Sequence, residues 1–170
     1  MEVIKNHVFT ERLNLVPFNE NDIILFYDLN TNPFIRKYLW DDEVIEMGTA
    51  KEIIEKNKQH FIEDKFGIWK IQLKTSNEVI GYAGLWYFFE DSQPQLIYAI
   101  LERYTKYGYA TEASQAVVDY AFNQLNFEYL IAATDEPHIA SQQVAKRLGM
   151  TLADQSTVNG KQTLFYRINR

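Results

Sequence analysis

The chain has 170 residues, a formal net charge of −6, 46% hydrophobic and 24% charged residues, and no cysteine. This composition is typical of one globular domain, here residues 1–170, and it excludes disulfides, cysteine-bound zinc and cysteine nucleophiles. The acidic balance argues against nucleic-acid binding. Without a long apolar run or a leader-like N-terminus, we expect a cytoplasmic protein with no membrane segment.

Hydrophobic patterning in the first half predicts strands and helices in alternation. Residues 12–17 alternate polar and apolar and predict a strand. Asn19 is a helix N-cap, and Thr49 with Glu52 forms a capping box for a longer helix. Between those helices, residues 31–40 are expected to be irregular.

The second half predicts a strand-rich region with two further helices. The predicted strands and helices are a hairpin of 67–73 with 79–86, a buried strand 95–101, a helix 109–125, a strand 128–134, a helix that starts at Pro137 and ends at Gly149, and a final hairpin around Asn159-Gly160. This order predicts an α+β (mixed α/β) fold, with helices on the faces of a mixed sheet.

The stretch "YTKYGYATEA" (104–113) places Gly108 between a buried strand and a helix. The first N–H groups of a helix lack partners within it and carry partial positive charge, so they attract phosphate where side chains leave room. Gly108 and Ala110 remove bulk there, and Lys106 adds charge. The stretch is therefore interpreted as a phosphate cradle, the alternative being an ordinary tight turn.

Four stretches together resemble a known family. They are "TERLNLVPFNENDI", "FGIWKIQLKTSNEVIGYAGL", "YAILERYTKYGYATEA" and "EPHIASQQVAKRLGM". In this order and spacing they resemble the GNAT superfamily of acyl-CoA-dependent N-acetyltransferases, and most of all the branch that acetylates N-termini of ribosomal proteins and related amines. The resemblance implies a central mixed, V-split sheet of about seven strands with about four helices on its faces.

The resemblance also implies a binding site for acetyl-CoA as co-substrate, without a metal. Its pantetheine would pair with the backbone of Ile100 and Leu101, and a backbone N–H near Leu101 would polarise the thioester carbonyl. The pyrophosphate would lie on the backbone amides of Lys106, Tyr107, Gly108, Tyr109, Ala110 and Thr111.

Four positions depart from the family pattern, and the first is Thr105, which stands where the family usually has glutamine or arginine. Lys106 stands where this branch often has glycine, His138 replaces an asparagine, and Ala145 replaces a tyrosine that serves relatives as general acid. His138 is expected to contact CoA, to relay a proton, or only to begin a helix. Ser141 is retained and is expected beside the departing thiolate, the alternative being an ordinary helix serine.

The general base is the least defined residue of the predicted site. Glu90 and Asp91 precede the strand 95–101 and are expected either to reach the amine through water or to be solvated loop residues. An aromatic group is expected to line an acceptor groove or to belong to the core. Its members are Tyr38, Trp40, Trp86, Tyr87, Phe88 and Phe89.

These features predict an N-acetyltransferase that moves an acetyl group directly to a primary amine in a ternary complex. The acceptor is a protein N-terminus or a small-molecule amine, and the protein is a monomer or a homodimer. The alternatives are a non-catalytic CoA-binding regulatory module and an interaction domain without a cofactor.

Overall fold

The computed structural model of the chain describes residues 6–88 and 92–170. Within them, eight strands form one sheet in the order β1-β2-β3-β4-β5-β6-β8-β7. Five α-helices and two short 3₁₀ helices, Glu20–Asp22 and Glu102–Tyr104, accompany the sheet. The elements are β1 (Val8–Phe9), β2 (Leu13–Pro17), α1 (Ile23–Thr31), α2 (Pro33–Leu39), α3 (Met47–Glu63), β3 (Ile68–Leu73), β4 (Val79–Trp86), β5 (Gln95–Ile100), α4 (Tyr109–Asn123), β6 (Tyr129–Asp135), α5 (Ile139–Arg147), β7 (Thr151–Val158) and β8 (Lys161–Asn169).

The sheet is divided in its middle. Neighbouring strands are antiparallel everywhere except at β5 and β6, which are parallel and joined by α4. These two strands pair at a single position, Gln95 with Ile131. They separate beyond that point, which confirms the predicted mixed, V-split sheet, with one strand and one helix more than expected.

Each face of the sheet has its own hydrophobic core. One core packs against α4 and α5 and includes Leu96 and Ile100 of β5, with Tyr98 against it. The other core packs against α1, α2 and α3, and Ile97 and Ala99 contact it. Because side chains alternate along a strand, β5 presents its even-numbered residues to the α4 face of the sheet and its odd-numbered residues to the α2 face.

Three local predictions are wrong at helix starts. Residues 31–40 are not irregular: Asn32 accepts the Phe34 N–H and Pro33 takes the first helical position, so α2 forms there. Helix α3 begins at Met47, so Thr49 lies inside the helix and no side chain caps it. The last helix begins after His138, which places Pro137 outside it.

Other predicted elements are confirmed. Asn19 caps the 3₁₀ turn that leads into α1, and Gly149 has a φ of +86° just after α5, in the left-handed region that terminates helices. In the described part of the chain, no helix is both long enough and apolar enough to cross a bilayer.

Candidate active site

The entrance of α4 has the open backbone that the sequence predicts. Gly108 is the N-cap with φ +82° and no side-chain cap, so the first N–H groups of the helix are not covered by a capping group. A Cβ at Gly108 would meet only the Arg12 guanidinium, at 3.4 Å. Lys106 also has a positive φ, +68°. That conformation explains why glycine suits position 106, and Lys106 adopts it at a cost of roughly 1–2 kcal/mol.

Arg12 and Glu112 fix this entrance against β2. The Arg12 Nε lies 2.6 Å from Glu112 Oε2, its Nη1 donates to the Tyr107 carbonyl at 2.9 Å, and its guanidinium lies 4.4 Å from the Tyr109 ring centroid. Burial raises the pKa of Glu112, but hydrogen bonds from Thr10 and Arg12 outweigh it and leave that pKa below its usual value. Sequence analysis missed this clamp because its two partners lie 100 residues apart.

The split between β5 and β6 exposes alternate amides of β5. The Leu101 N–H donates to the Ile80 carbonyl at 2.9 Å, on the β4 side. Since antiparallel pairing alternates, the Tyr98 and Ile100 amides face the split instead. Leu101 also packs in the core of the α2 face. Its predicted role as a free backbone donor is therefore wrong, whereas Ile100 keeps a backbone N–H that faces the split.

Ser141 and Tyr98 meet on the α4 face of the split. The Ser141 Oγ donates to the Tyr98 hydroxyl at 3.2 Å, and the Tyr98 hydroxyl donates to the Ser141 carbonyl at 2.8 Å. Burial raises the pKa of Tyr98 to about 12. Sequence analysis missed Tyr98, although a single hydroxyl within the apolar run "QLIYAIL" was a usable signal.

His138 immediately precedes α5 and packs against α2. Its ring stacks on Tyr38 of α2, with centroids 4.0 Å apart and planes 11° apart. Burial, together with the nearby Lys37, lowers the pKa of His138 to about 4. The imidazole is therefore neutral near pH 7 and too weak a base to hold a proton there.

Charged residues gather on the opposite, α2 side of the split. The Lys161 Nζ lies 2.7 Å from Asp41 Oδ1 and 3.8 Å from Asp135 Oδ2. Burial raises the pKa of Asp135, with Asp41 adding to this and Lys161 opposing it. None of these three residues was predicted, since they come from the turn after α2, the end of β6 and the start of β8.

A single cavity of about 1150 Å³ runs through the split and touches both sides. It is lined by Lys106, Gly108, Tyr109, Ala110, Thr111, Ile100, His138 and Ser141 of the predicted site, but neither Leu101 nor Tyr107 lines it. Tyr38 and Phe88 of the aromatic group also line it, whereas Trp40 and Trp86 pack on the core. Glu90, Asp91 and Phe89 lie outside the described residues.

Two hydroxyls at this cavity support a polar ligand. Thr111 Oγ1, in the first turn of α4, and Thr134 Oγ1, on β6, are buried and have no hydrogen-bond partner in the described part of the chain. A buried hydroxyl without a partner is costly, so a ligand oxygen that reached either Oγ1 would gain a hydrogen bond from it. Carbonyl and phosphate oxygens, as in acetyl-CoA, meet this requirement. Residues 6–88 and 92–170 contain no group of three or more His, Asp or Glu side chains placed to hold a metal.

Comparison with known proteins agrees with this geometry. A family model described as an acetyltransferase (GNAT) domain matches residues 12–151. A Bacillus subtilis (strain 168) protein named as the uncharacterised N-acetyltransferase YnaD is 28% identical over 85% of this chain and 82% of its own length.

Solved structures share the fold at lower identity. An acetyltransferase from Agrobacterium tumefaciens str. C58 superposes with a TM-score of 0.83 at 24% identity and covers 96% of this chain and 94% of its own. RimL, a ribosomal L7/L12 α-N-protein acetyltransferase solved with coenzyme A, gives 0.80 at 16% identity, with 96% and 97% coverage. The family match covers most of the chain. The chain therefore belongs to the GNAT acetyltransferase domain family and is an acetyl-CoA-dependent acyltransferase.

Proposed function

We propose that this enzyme transfers the acetyl group of acetyl-CoA directly to a primary amine while both substrates are bound. The observation that carries the proposal is the single cavity that passes through the split. On one side it reaches the entrance of α4 and the Tyr98–Ser141 pair, and on the other it reaches α2 and the Asp41–Lys161–Asp135 cluster. Two substrates can therefore enter from opposite sides and meet in the gap.

Direct transfer is favoured because a covalent acetyl-enzyme would need an activated nucleophile, and we find none at the cavity among residues 6–88 and 92–170. The chain has no cysteine. The Ser141 Oγ donates to the Tyr98 hydroxyl, which is not a base near pH 7 because its pKa is about 12. His138, the nearest imidazole in sequence, stacks on Tyr38. A serine without a neighbouring base is a weak nucleophile.

Acetyl-CoA is assigned to the α4 side of the split. The amides from Gly108 to Thr111 are proposed to hold the pyrophosphate at the helix entrance, with the Lys106 ammonium beside them. The Ile100 amide is proposed to bind the pantetheine arm, and Ser141 to lie beside the sulfur. Within the described residues, no ion pair or hydrogen bond engages the Lys106 ammonium, which leaves it free to bind phosphate.

The acceptor is proposed to be an α-amino group, either of a protein N-terminus or of a small molecule. His138 is too weak a base to deprotonate a lysine-like amine. At pH 7.5 about a third of an α-amino group is neutral, against about 0.1% of a lysine-like amine, given pKa values of ~7.8 and ~10.4. An α-amino group thus needs less help from a base. Glu90 remains a proposed base, acting through water. RimL, which shares the fold, is named as an α-N-protein acetyltransferase, so protein N-termini belong among the acceptors to be tested.

Thiol release from acetyl-CoA tests the proposal. Because the chain has no cysteine, every thiol detected by a disulfide reagent comes from CoA. Acetyl-CoA is incubated with peptides that carry a free α-amino group and with the same peptides acetylated beforehand at that group. Thiol release is expected with the free peptides and not with the blocked ones. Double-reciprocal plots of the initial rate against one substrate, at several concentrations of the other, should give intersecting lines.

Two results would contradict parts of the proposal. Parallel lines, or enzyme that becomes acetylated without acceptor, would replace direct transfer by a covalent route. Tight CoA binding with no release over any amine would favour a non-catalytic CoA-binding module.

A further inference from the structure

The hydroxyls of Tyr98 and Ser141 lie together at the cavity, and only Ser141 belonged to the predicted site. Tyr98 and Ser141 exchange two hydrogen bonds across 43 residues of sequence. Both line the cavity on the α4 face. Hydroxyl hydrogens rotate, so either group can turn its O–H toward a ligand atom placed between β5 and α5.

We propose that Tyr98 is a further catalytic residue, which together with Ser141 donates hydrogen bonds to the sulfur of CoA as the thioester breaks. This inference rests on the proposed function, because it assumes that the pantetheine arm enters the split past Ile100.

The position of Tyr98 along β5 supports this assignment. A ligand anchored at Gly108 enters the split at the Ile100 end of β5. Tyr98 is the next residue on the same face, about 7 Å further in, since two residues of a strand span that distance. Continuing the pairing of Gln95 with Ile131 places Tyr98 level with Thr134 on β6. The phenol therefore lies on the α4 face of the split, two residues further in than Ile100.

The immediate neighbours of the Tyr98 hydroxyl are polar and uncharged. It exchanges hydrogen bonds with Ser141, and the Tyr166 phenol lies nearby. A sulfur anion formed beside these groups would be partly desolvated, and a buried charge is costly unless it is hydrogen-bonded. Hydrogen bonds from the two hydroxyls would stabilise that anion.

The chemical step balances without proton transfer from Tyr98. The amine nitrogen forms a bond to the carbonyl carbon, the carbon–sulfur bond breaks, and its electron pair goes to sulfur. The proton lost by the amine passes to solvent. A thiol resembling cysteine has a pKa of ~8.5, well below the value of about 12 for Tyr98. The phenol therefore keeps its proton and acts as a hydrogen-bond donor.

Binding of CoA and of desulfo-CoA, which lacks the sulfur, tests the proposal without any acceptor. Calorimetry at pH 9, where most of the free thiol is ionised, should show that the wild-type protein binds CoA about tenfold more tightly than desulfo-CoA. Tyr98→Phe should remove most of that preference and leave the affinity for desulfo-CoA unchanged. Ser141→Ala, which removes the other hydroxyl, should reduce the preference as well.

Tyr166→Phe is the matched control. Tyr166 is also a buried phenol on the α4 face, and it donates to Gln142 Oε1 at 3.1 Å, but it does not line the cavity. The Tyr166→Phe variant should prefer CoA over desulfo-CoA to the same extent as the wild type. In turnover, Tyr98→Phe should lower kcat about tenfold with little change in the KM for acetyl-CoA. The Tyr98→Phe, Ser141→Ala double variant should lose less than the product of the single effects, because both hydroxyls serve one atom.

The outcomes separate this inference from the proposed function. If Tyr98→Phe weakens CoA and desulfo-CoA equally, or if the wild type does not distinguish them, Tyr98 does not contact sulfur and the inference is overturned. In either case the proposed function stands, because wild-type binding of desulfo-CoA itself supports a CoA site. A wild type that binds neither ligand overturns both.

Discussion

The two sides of the split present different chemical groups to the cavity. The α4 side offers backbone amides, the hydroxyls of Tyr98, Thr134 and Ser141, and the open entrance at Gly108. The α2 side offers stacked rings and the ion-paired cluster of Asp41, Lys161 and Asp135. A side that relies on backbone and hydroxyls suits a ligand of fixed structure, whereas a side that relies on charged side chains can change from one relative to another. We therefore expect variants on the α4 side to alter CoA binding and variants on the α2 side to alter acceptor selection.

The largest expected effect lies at the entrance of α4. Gly108→Val puts a β-branched side chain into the left-handed conformation, at a cost of roughly 1–2 kcal/mol, and covers the first amides of the helix. Interactions of an anion with a helix N-terminus contribute up to ~2 kcal/mol. We expect the Kd for CoA, measured by calorimetry, to rise by about 30-fold or more.

Gly149→Ala controls for backbone strain alone. Gly149 also has a positive φ, +86°, but it does not line the cavity. Its replacement should lower the free energy of unfolding and leave CoA affinity unchanged. Equal losses of CoA affinity in both variants would show that strain, and not access to the amides, explains the result at Gly108.

The α4 side was the more predictable of the two because much of its information is local. A glycine between a strand and a helix, with a basic neighbour, predicts the entrance from "YTKYGYATEA" alone. The error at Leu101 arose because sequence patterning shows the direction of side chains but not which edge of the strand each amide faces. The hydrogen bond from the Leu101 N–H to Ile80 depends on register with β4, which is a property of the assembled sheet.

The α2 side could not be predicted because its contacts join distant parts of the chain. Asp41 and Lys161 are 120 residues apart, and each looks like an ordinary surface charge in sequence. Helix α2 itself was missed because the aromatic content of residues 31–40 hid a strong start signal, Asn32 followed by Pro33. Without that helix, the stacking of Tyr38 on His138 was not foreseeable.

Charge variants on the α2 side should change acceptor affinity in opposite directions. Lys161→Gln leaves Asp41 and Asp135 without this partner and should lower the KM for a cationic amine about threefold, whereas Asp41→Asn should raise it about threefold. Exposed ion pairs contribute roughly 0.2–1 kcal/mol, and these factors lie within that range. Steady-state kinetics with a dipeptide acceptor measures both values.

The KM for acetyl-CoA is the internal control for this pair of variants, because the α4 side is unchanged in both. A shift of that KM in parallel with the KM for the acceptor would contradict the division of the cleft into two functionally separate sides.

The burial of His138 should make stability depend on pH. The pKa of His138 is lowered to about 4 in the folded protein by burial and by the nearby Lys37, from its ordinary value of 6.5. At pH 7 the imidazole is mostly neutral in both states, and the shift has little effect. Between 6.5 and 4 the unfolded chain takes up the proton first, so folding loses stability as pH falls, and the loss is complete below 4.

His138→Phe keeps a stacked ring and removes the titration. Because His138 is only partly buried, we expect the loss of stability between pH 7 and 4 to be smaller in this variant by roughly 1 kcal/mol. Urea unfolding at both pH values measures the free energy of unfolding of each protein. Carboxylates titrate in both proteins, so their effect cancels in the comparison. Identical losses in the two proteins would mean that the imidazole is not held neutral by the fold.

At Thr134, stability and binding should move in opposite directions. Thr134 lines the cavity, and its Oγ1 is buried without a partner among the described residues. Thr134→Val has nearly the same shape and removes the unsatisfied hydroxyl, so the ligand-free protein should gain up to roughly 1 kcal/mol. If that hydroxyl donates to a ligand oxygen, the Kd for CoA should rise about threefold to fivefold.

Ser114→Ala separates the two effects at Thr134. The Ser114 Oγ is likewise buried and unpartnered in the described chain, but Ser114 lies within α4 and does not line the cavity. Its replacement should be neutral or stabilising with no change in CoA affinity. An unpaired hydroxyl that binds a ligand destabilises the ligand-free protein but strengthens ligand binding. An unpaired hydroxyl within a core destabilises the protein and has no effect on ligand binding. If Thr134→Val stabilises the free protein but weakens CoA binding, while Ser114→Ala leaves binding unchanged, the ligand lies along β6. If neither variant changes CoA binding, Thr134 is not part of the site.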